Sequence, residues 1–153
     1  MRVREGTVSD ARTIYEIGTE CFSDAWREET VAADMEKPHS LYLVAEGEDG
    51  ILGYACLWLV EDELQLVNIG VRKEQRRNGV ASALLEKMEE EAVSKKASLI
   101  YLEVRVSNVA AQELYRKFGF KVQAIRKGVY SLPKEDGYIM GKRLEKLVVS
   151  SEQ

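Results

Sequence analysis

Hydrophobic and polar positions in the first part of the chain follow a strand period and then a helical one. The opening segment "MRVRE" alternates and predicts a first strand. Thr7 and Asp10 have the spacing of a capping box, although aspartate replaces the usual glutamate, and they predict a helix through Phe22. A second short helix is expected from Arg27 to Met35, because Pro38 follows and proline disfavours helical backbone in the residue before it.

The pattern then changes to that of strands. The segments "LYLVAEG" and "ILGYACLWLV" flank "EDG", and an Asp-Gly turn between two such runs predicts a β-hairpin. The next segment, "ELQLVNIGV", predicts a third central strand. Within it, Gly70 indicates either a bulge or a close approach to the backbone, or else a strand that is merely weakened.

A helical period returns in "EQRRNGVASALLEKM", which begins with a basic loop. We expect this helix to run from about Gly79 to Lys95, because its apolar positions share one face: Val80, Leu84, Leu85, Met88 and Ala92. The segment "SLIYLEVRV" then predicts a strand. Its near-continuous apolar character indicates burial on both faces.

The remaining pattern predicts one more helix and two closing strands. Ser107 and Asn108 are good N-cap residues, and Gly119 is suited to end the helix, whose apolar positions are Ala111, Leu114, Tyr115 and Phe118. The segments "FKVQAIR" and "GYIMGKRL" predict strands separated by a loop that holds Pro133. The order β-α-α-β-β-β-α-β-α-β-β predicts an α/β (α+β) sheet with helices on its faces.

Length and charge limit the classes of function. The 153 residues suffice for one domain with a substantial core, so we expect a single domain over 1–153 whose last few residues form a disordered tail. A net charge of −4 argues against bulk nucleic-acid binding but leaves room for a local basic site. Cys21 and Cys56 lie in apolar runs, and His39 is the only histidine, so neither a disulfide framework nor a metal site is expected.

The N-terminal segment "MRVREGTVSD" has no apolar signal, and no apolar run approaches the length of a membrane span. We therefore expect a cytoplasmic protein without a membrane partner.

The basic loop has the features of an anion site. The first amides of a helix lack helical partners, and the helix dipole favours anions there. Gly79 would allow close backbone approach, and Arg76 and Arg77 could pair with phosphate oxygens. The loop is neither a Walker A sequence nor a G-x-G-x-x-G sequence. Taken alone, it fits a solvated basic loop at a helix start better than an anion site.

Three segments in order, "LVNIGV", "RRNGVA" and "LEVRVSNVAAQELYRKFGF", resemble the GNAT superfamily of acetyl-CoA-dependent N-acetyltransferases. "RRNGVA" is similar to the family's pyrophosphate loop, Q/R-x-x-G-x-G/A, with Arg76, Gly79 and Ala81 in the fixed places. The third segment is similar to the RimI branch, the ribosomal-protein alanine N-acetyltransferases. The likeness extends from "CFSDAW" to "EDGYIM".

This resemblance implies a GNAT fold, in which a single mixed, mostly antiparallel sheet of about six or seven strands has helices on both faces. It also implies a strand pair that splays at the cofactor site. Acetyl-CoA would be the co-substrate and coenzyme A the product. The implied cofactor-binding residues are Ile69, Gly70 and Val71, whose backbone would pair with the pantetheine arm, then Arg76, Arg77, Asn78, Gly79, Val80, Ala81 and Ser82 in the loop, and Asn108.

The resemblance also implies two catalytic residues. Glu103 would be the general base, directly or through water, and Tyr115 the acid that protonates the departing thiolate. From the residues alone, Glu103 could instead pair with Arg105 on the same strand face, and Tyr115 could be a core aromatic. Asn108 could cap a helix, bind cofactor, or do both. A strand amide, that of Ile69 or Gly70, would stabilise the tetrahedral intermediate.

The acceptor expected from the resemblance is the α-amino group of a protein N-terminus, possibly a ribosomal protein that begins with alanine. RimI-like chains often have Pro-Trp-Ser where this chain has Ala25-Trp26-Arg27, and Tyr-Tyr where it has Val129-Tyr130. These departures bear on the acceptor side. Two alternatives remain open, namely transfer to a small-molecule amine and a non-catalytic acyl-CoA-binding module. A monomer or weak dimer without a nucleic-acid partner is expected.

Overall fold

The computed structural model describes residues 1–144, and the predicted disordered tail lies outside the described residues. Within 1–144 the predicted order of elements is confirmed. The strands are β1 Arg2–Glu5, β2 Ser40–Gly47, β3 Gly50–Val60, β4 Glu63–Val71, β5 Leu99–Arg105, β6 Lys121–Ser131 and β7 Lys134–Arg143. The α-helices are α1 Ala11–Cys21, α2 Glu28–Met35, α3 Val80–Ser94 and α4 Val109–Lys117.

The strands form one sheet in the order β1-β2-β3-β4-β5-β7-β6, in which the β4–β5 pair is parallel and the other pairs are antiparallel. The predicted mixed, mostly antiparallel sheet is therefore confirmed. Helices α1 and α2 pack on one face, around a core that includes Ile14, Ile17 and Val31. Helices α3 and α4 pack on the other face, around Leu84, Leu85 and Tyr115 among others. We call these the α1/α2 face and the α3/α4 face.

Local signals explain the helix starts. The Thr7 amide donates to the Asp10 carboxylate at 2.8 Å, as the predicted capping box requires, and a short 3-10 turn, Val8–Asp10, precedes α1. The Asn108 Oδ1 atom accepts a hydrogen bond from the Ala111 amide at 3.2 Å, so the predicted cap of α4 is confirmed. Gly119, at a φ of +92°, follows the end of α4.

The splayed strand pair is also present. Parallel pairing joins Glu63–Leu66 to Leu99–Leu102 and then stops, although β4 continues to Val71 and β5 to Arg105. On the other side of β4 the register slips, because Leu57 lies opposite Leu66 and Cys56 opposite Asn68. Val67 is thus the extra residue of a β-bulge, and bulges bend a strand and increase its twist. The sheet opens where β4 bends away from β5.

Three details of the strands differ from the sequence predictions. Of the alternatives predicted for Gly70, the bulge is wrong, because the bulge of β4 lies at Val67. On β5 the buried residues alternate (Ile100, Leu102 and Val104), so the prediction of full burial on both faces was wrong. On its α1/α2 face, β5 borders a cleft instead of packed side chains. The predicted loop around Pro133 is only a tight turn, because β6 continues to Ser131 and β7 starts at Lys134.

Gly70 is required by packing on the α1/α2 face. A Cβ atom at this position would lie 2.8 Å from Cε1 of Tyr54 and 3.3 Å from Cγ2 of Ile17. The missing side chain lets the Tyr54 ring and helix α1 close against β4. No helix within residues 1–144 is long and apolar enough to cross a membrane.

We predict that Gly70→Ala destabilises the fold by about 1–3 kcal/mol, the usual range for overpacking a buried site. Urea unfolding followed by circular dichroism measures the change. Gly6→Ala is the matched control, because its Cβ would lie at an ordinary 3.4 Å from Tyr42 and Val44. We expect the control to stay within about 0.5 kcal/mol of the parent. Equal stability of the two variants would contradict the packing role of Gly70.

Candidate active site

A cleft of about 800 Å³ occupies the opening between β4 and β5. Its walls come from α1, the loop to α2, both separated strands, the start of α4 and the tip of the β6–β7 hairpin. The opening brings together these predicted residues on its lining: Ile69, Val71, Arg76, Ala81, Glu103, Asn108 and Tyr115. The other predicted residues do not line it: Gly70, Arg77, Asn78, Gly79, Val80 and Ser82. Val80 instead places its side chain in the core of the α3/α4 face.

The basic loop has a backbone suited to binding an anion. Arg77 and Gly79 adopt φ values of +67° and +80°, and α3 begins directly after Gly79. The first α-helical bond joins the Ala83 amide to the Gly79 carbonyl at 3.0 Å, so the preceding amides of the helix have no helical partner. Among the residues that the structure describes, none has an atom within 4 Å of a Cβ built at Gly79. The backbone at this helix start is therefore open to a ligand.

The start of this loop is fixed to α1. Arg72 pairs with Glu20 at 3.3 Å and donates to the Ile51 carbonyl at 2.8 Å, while the Lys73 amide donates to Glu20 at 3.2 Å. Beyond these contacts, Arg76 reaches the Cys21 sulfur at 3.7 Å. The loop thus lies at the end of the cleft that α1 and α3 share.

Glu103 lies on the β5 wall of the cleft, on the α1/α2 face. Its carboxylate pairs with Arg126 of β6, with 3.1 Å between Oε2 and Nη1, and its side chain is 25% exposed. The alternative pairing with Arg105 was wrong, because Arg105 is occupied elsewhere. Glu103 is therefore a partly exposed carboxylate, and within residues 1–144 its ion-pair partner is a more exposed arginine, Arg126.

Arg105 braces the tip of the β6–β7 hairpin. Its guanidinium donates to the carbonyls of Leu132 at 3.0 Å and Pro133 at 2.8 Å, and it pairs with Glu135 at 3.2 Å. It also lies 4.3 Å from the ring centroid of Tyr130, a cation–π contact. Hydrogen bonds from Ser107, together with the Arg105 charge, hold the pKa of Glu135 below its usual range.

A second contact joins this hairpin to the opposite wall. The Ser23 hydroxyl, in the loop between α1 and α2, donates to the Leu132 carbonyl. The carbonyl of one residue therefore receives donors from both sides of the cleft. Sequence reasoning missed Ser23, and for Arg105 the available signal was its spacing of two from Glu103.

Tyr115 reaches the cleft from the α3/α4 face. The residue is 6% exposed, and its ring packs 6.0 Å from that of Phe120. Burial raises the pKa of its phenol, so the hydroxyl keeps its proton throughout the physiological range. Tyr115 is consequently both a core aromatic and a lining residue of the cleft.

Tyr130 of β6 stands beside Glu103 where Gly137 of β7 leaves room. A Cβ at Gly137 would lie 2.9 Å from Val129, 3.0 Å from the Tyr130 ring and 3.3 Å from Glu103. Burial, and then the Glu103 charge, raise the pKa of Tyr130 to about 12. Val129 and Tyr130 form the segment that differs from the Tyr-Tyr pair of RimI-like chains. Tyr130 lines the cleft, and Val129 does not.

A buried carboxylate supports the segment Ala25-Trp26-Arg27, which also differs from the pattern of RimI-like chains. Asp34 of α2 accepts hydrogen bonds from the Tyr42 hydroxyl at 2.7 Å and from the Trp58 indole at 3.1 Å. The Trp58 ring then stacks against Trp26, with 6.1 Å between centroids. Ala25 and Trp26 line the cleft, so this network fixes a cleft wall that sequence reasoning did not explain.

Comparison with known proteins agrees with this geometry. Residues 11–120 match the acetyltransferase (GNAT) family. The chain is 36% identical over 139 residues to a putative ribosomal protein bS18-alanine N-acetyltransferase of Bacillus subtilis (strain 168), covering 90% of this chain and 92% of that protein.

Solved structures share the fold. The crystal structure of the ribosomal-protein-S18-alanine N-acetyltransferase from Escherichia coli is similar with a TM-score of 0.87 and 29% identity, over 94% of each chain. A GNAT superfamily phosphinothricin acetyltransferase from Sinorhizobium meliloti, in complex with AcCoA, is similar with a TM-score of 0.82 and 20% identity, over 94% of this chain and 88% of that one. The chain therefore belongs to the GNAT family of acetyltransferases, enzymes that use acetyl-CoA, and it resembles the RimI branch of that family.

Proposed function

We propose that this enzyme transfers the acetyl group of acetyl-CoA to the α-amino group of a protein N-terminus, that of a ribosomal protein beginning with alanine. One observation carries the chemistry: the opening between β4 and β5 brings a carboxylate and a protonated phenol, Glu103 and Tyr115, into one cleft from opposite faces of the sheet. The acceptor is supported by the similarity to a putative ribosomal protein bS18-alanine N-acetyltransferase. Ribosomal proteins are made in the cytoplasm, where the enzyme would act, as one domain over 1–153.

Acetyl-CoA would bind along the opened edge of β4 and across the start of α3. The pantetheine arm would pair with the backbone of Ile69, Gly70 and Val71, whose β5-facing edge has no strand partner within residues 1–144. The pyrophosphate would lie at the helix start, where free amides and the dipole favour an anion. The residues assigned to that part are Arg76, Arg77, Asn78, Gly79, Val80, Ala81 and Ser82, with Asn108 at the cleft end of α4.

The amine must be neutral to attack the thioester carbon. An α-amine has a pKa of about 7.7–8.0, so a base has modest work to do near neutral pH. Glu103 would accept the proton that the amine loses, directly or through water. As the N–C bond forms and the C–S bond breaks, Tyr115 would give its proton to the coenzyme A thiolate. A strand amide, that of Ile69 or Gly70, would stabilise the tetrahedral oxyanion.

We expect acetyl-CoA to raise the Tm of the enzyme and Gly79→Asp to abolish this rise. A carboxylate at residue 79 would enter the open space above the helix start and repel the pyrophosphate. The matched control is Gly50→Asp, because Gly50 also has a positive φ, +122°, and a Cβ there would also lie more than 4 Å from every atom of the described part of the chain. Both substitutions place a side chain at a positive φ, which costs about 1–3 kcal/mol, so the ligand-induced shift of each variant is measured from its own Tm without ligand. Retention of the ligand-induced shift by Gly79→Asp, measured by differential scanning fluorimetry, would refute the pyrophosphate assignment.

The acceptor is tested with synthetic peptides and a panel of small amines. We expect acetylation of basic peptides that begin with alanine, and no acetylation when the same peptides carry a blocked N-terminus and only lysine side chains. Mass spectrometry of the products locates the added acetyl group. Preference for a polyamine, an antibiotic or a free amino acid would replace the protein N-terminus by a small-molecule acceptor.

Two variants test the catalytic assignments. Glu103→Gln should lower kcat/KM at neutral pH by about 10²–10⁴-fold, the usual contribution of a general base, and its activity should recover as rising pH deprotonates the amine.

Tyr115→Phe should lower kcat with little change in acetyl-CoA affinity. Tyr101→Phe is the control, because Tyr101 lies on the same strand face as Glu103 but bonds Gln65 at 3.3 Å outside the cleft. Unchanged rates for Glu103→Gln would sink the base assignment, and weakened acetyl-CoA binding by Tyr115→Phe would favour a packing role.

A further inference from the structure

Asn68 is a polar residue of the cleft that the reaction described above does not use. It lies on β4, one residue after the bulge, and lines the cleft. Its Oδ1 atom is buried and has no hydrogen-bond partner among the described residues. An unpaired buried carbonyl oxygen lowers stability, and such groups in native proteins call for an explanation.

The bulge determines which way Asn68 faces. Leu64 and Leu66 pack in the core of the α3/α4 face, so regular alternation would send residue 68 to that face as well. Instead, the extra residue Val67 shifts the phase. Asn68 comes to lie directly opposite Cys56, which is buried in the core of the α1/α2 face. Bulges re-aim side chains in this way next to active sites.

The same face carries Glu103 on the other wall of the opening. Glu103 lies between Leu102 and Val104, both of which belong to the core of the α3/α4 face, so its own side chain points to the α1/α2 face. Parallel pairing stops at Leu66 and Leu102, and Asn68 and Glu103 come within two residues after that point. An amide and a carboxylate therefore occupy the two walls of one opening.

We propose that Asn68 positions the acceptor amine, because its side-chain oxygen accepts a hydrogen bond from one N–H group of the amine. This proposal rests on the proposed function, because it needs an amine in the cleft. An attacking amine must aim its lone pair at the thioester carbon, which leaves its N–H groups to be paired from the sides. From the β5 wall, Glu103 pairs with one N–H of the amine and removes its proton. From the β4 wall, the Asn68 oxygen accepts a hydrogen bond from another N–H of the amine.

An amide suits this place for two reasons. It is neutral, so it orients the amine without holding it in the charged, non-nucleophilic form. Its terminal torsion is also broad, so the amide can turn its oxygen towards an amine in the cleft at little strain. When the amine binds, the Asn68 oxygen gains a hydrogen-bond partner. Relief of the unpaired oxygen of the free enzyme thus contributes to the free energy of binding.

The test is Asn68→Leu, a substitution of similar size without hydrogen-bonding atoms. We expect kcat/KM for the acceptor to fall by about 10–100-fold, with the KM of the acceptor raised and the Kd of acetyl-CoA within about twofold of the parent. We expect Tm to stay equal or to rise, because an unpaired buried oxygen has been replaced by an apolar group. A purely structural asparagine would show the reverse, a lowered Tm with an unchanged acceptor KM.

Two further variants make the result specific. Asn68→Asp keeps an acceptor oxygen at the same place, so the acceptor KM should return towards that of the parent. Gln65→Leu removes the neighbouring amide of the same strand, which bonds Tyr101 outside the cleft, and it should leave kcat/KM unchanged. If leucine is not accommodated at residue 68, Asn68→Ala provides the same measurements with a smaller side chain.

Three outcomes would overturn the proposal: an unchanged kcat/KM in Asn68→Leu, an equal loss of acetyl-CoA affinity, or a lowered Tm with the acceptor KM intact. The assay uses whichever amine the parent enzyme acetylates best, peptide or small molecule. A failure of the protein N-terminus as acceptor would therefore leave the Asn68 measurement valid. Conversely, a negative result at Asn68 would leave the acceptor assignment standing.

Discussion

The early end of the parallel pairing between β4 and β5 is the constraint on which the rest of the site depends. Four residue pairs hold the two strands together, and the bulge at Val67 then bends β4 away while β3 keeps its hold on the far side. The opening exposes a strand edge to a ligand and lets a buried phenol from one face reach the same space as a carboxylate from the other. Without it, Tyr115 and Glu103 would be separated by a closed sheet.

The two faces of the sheet support this opening differently. On the α3/α4 face, apolar packing around α3 fixes the helix start that follows the basic loop. On the α1/α2 face, polar contacts hold the walls: Asp34 accepts from Tyr42 and Trp58, and Arg105 bonds the hairpin tip. Asp34 is buried, so removing one of its partners would leave a buried polar group unpaired, and this network specifies the shape of the wall as well as stabilises it.

Periodicity and capping residues predicted the order of elements, the hairpin around "EDG" and the cap at Asn108, because these depend on local chemistry. The bulge could not be predicted, since Val67 is an ordinary strand residue and the glycine that drew attention, Gly70, serves the packing of Tyr54. The face of Asn68 depends on that bulge and was missed with it. The partners of Glu103 and Arg105 were also missed, because Arg126 and the hairpin carbonyls are distant in sequence. The family resemblance supplied residue roles that pattern alone left open.

The contacts that join the two walls of the cleft at the β6–β7 hairpin include hydrogen bonds to its backbone atoms. Ser23 and Arg105 both bond the Leu132 carbonyl, and Arg105 also bonds that of Pro133, so these hydrogen bonds do not depend on the Leu132 side chain. Leu132 is exposed and lines the cleft, so its side chain can be exchanged in evolution or by design while the main chain that carries it stays in place. The surface that this edge of the cleft presents to a ligand can therefore vary without rebuilding the walls.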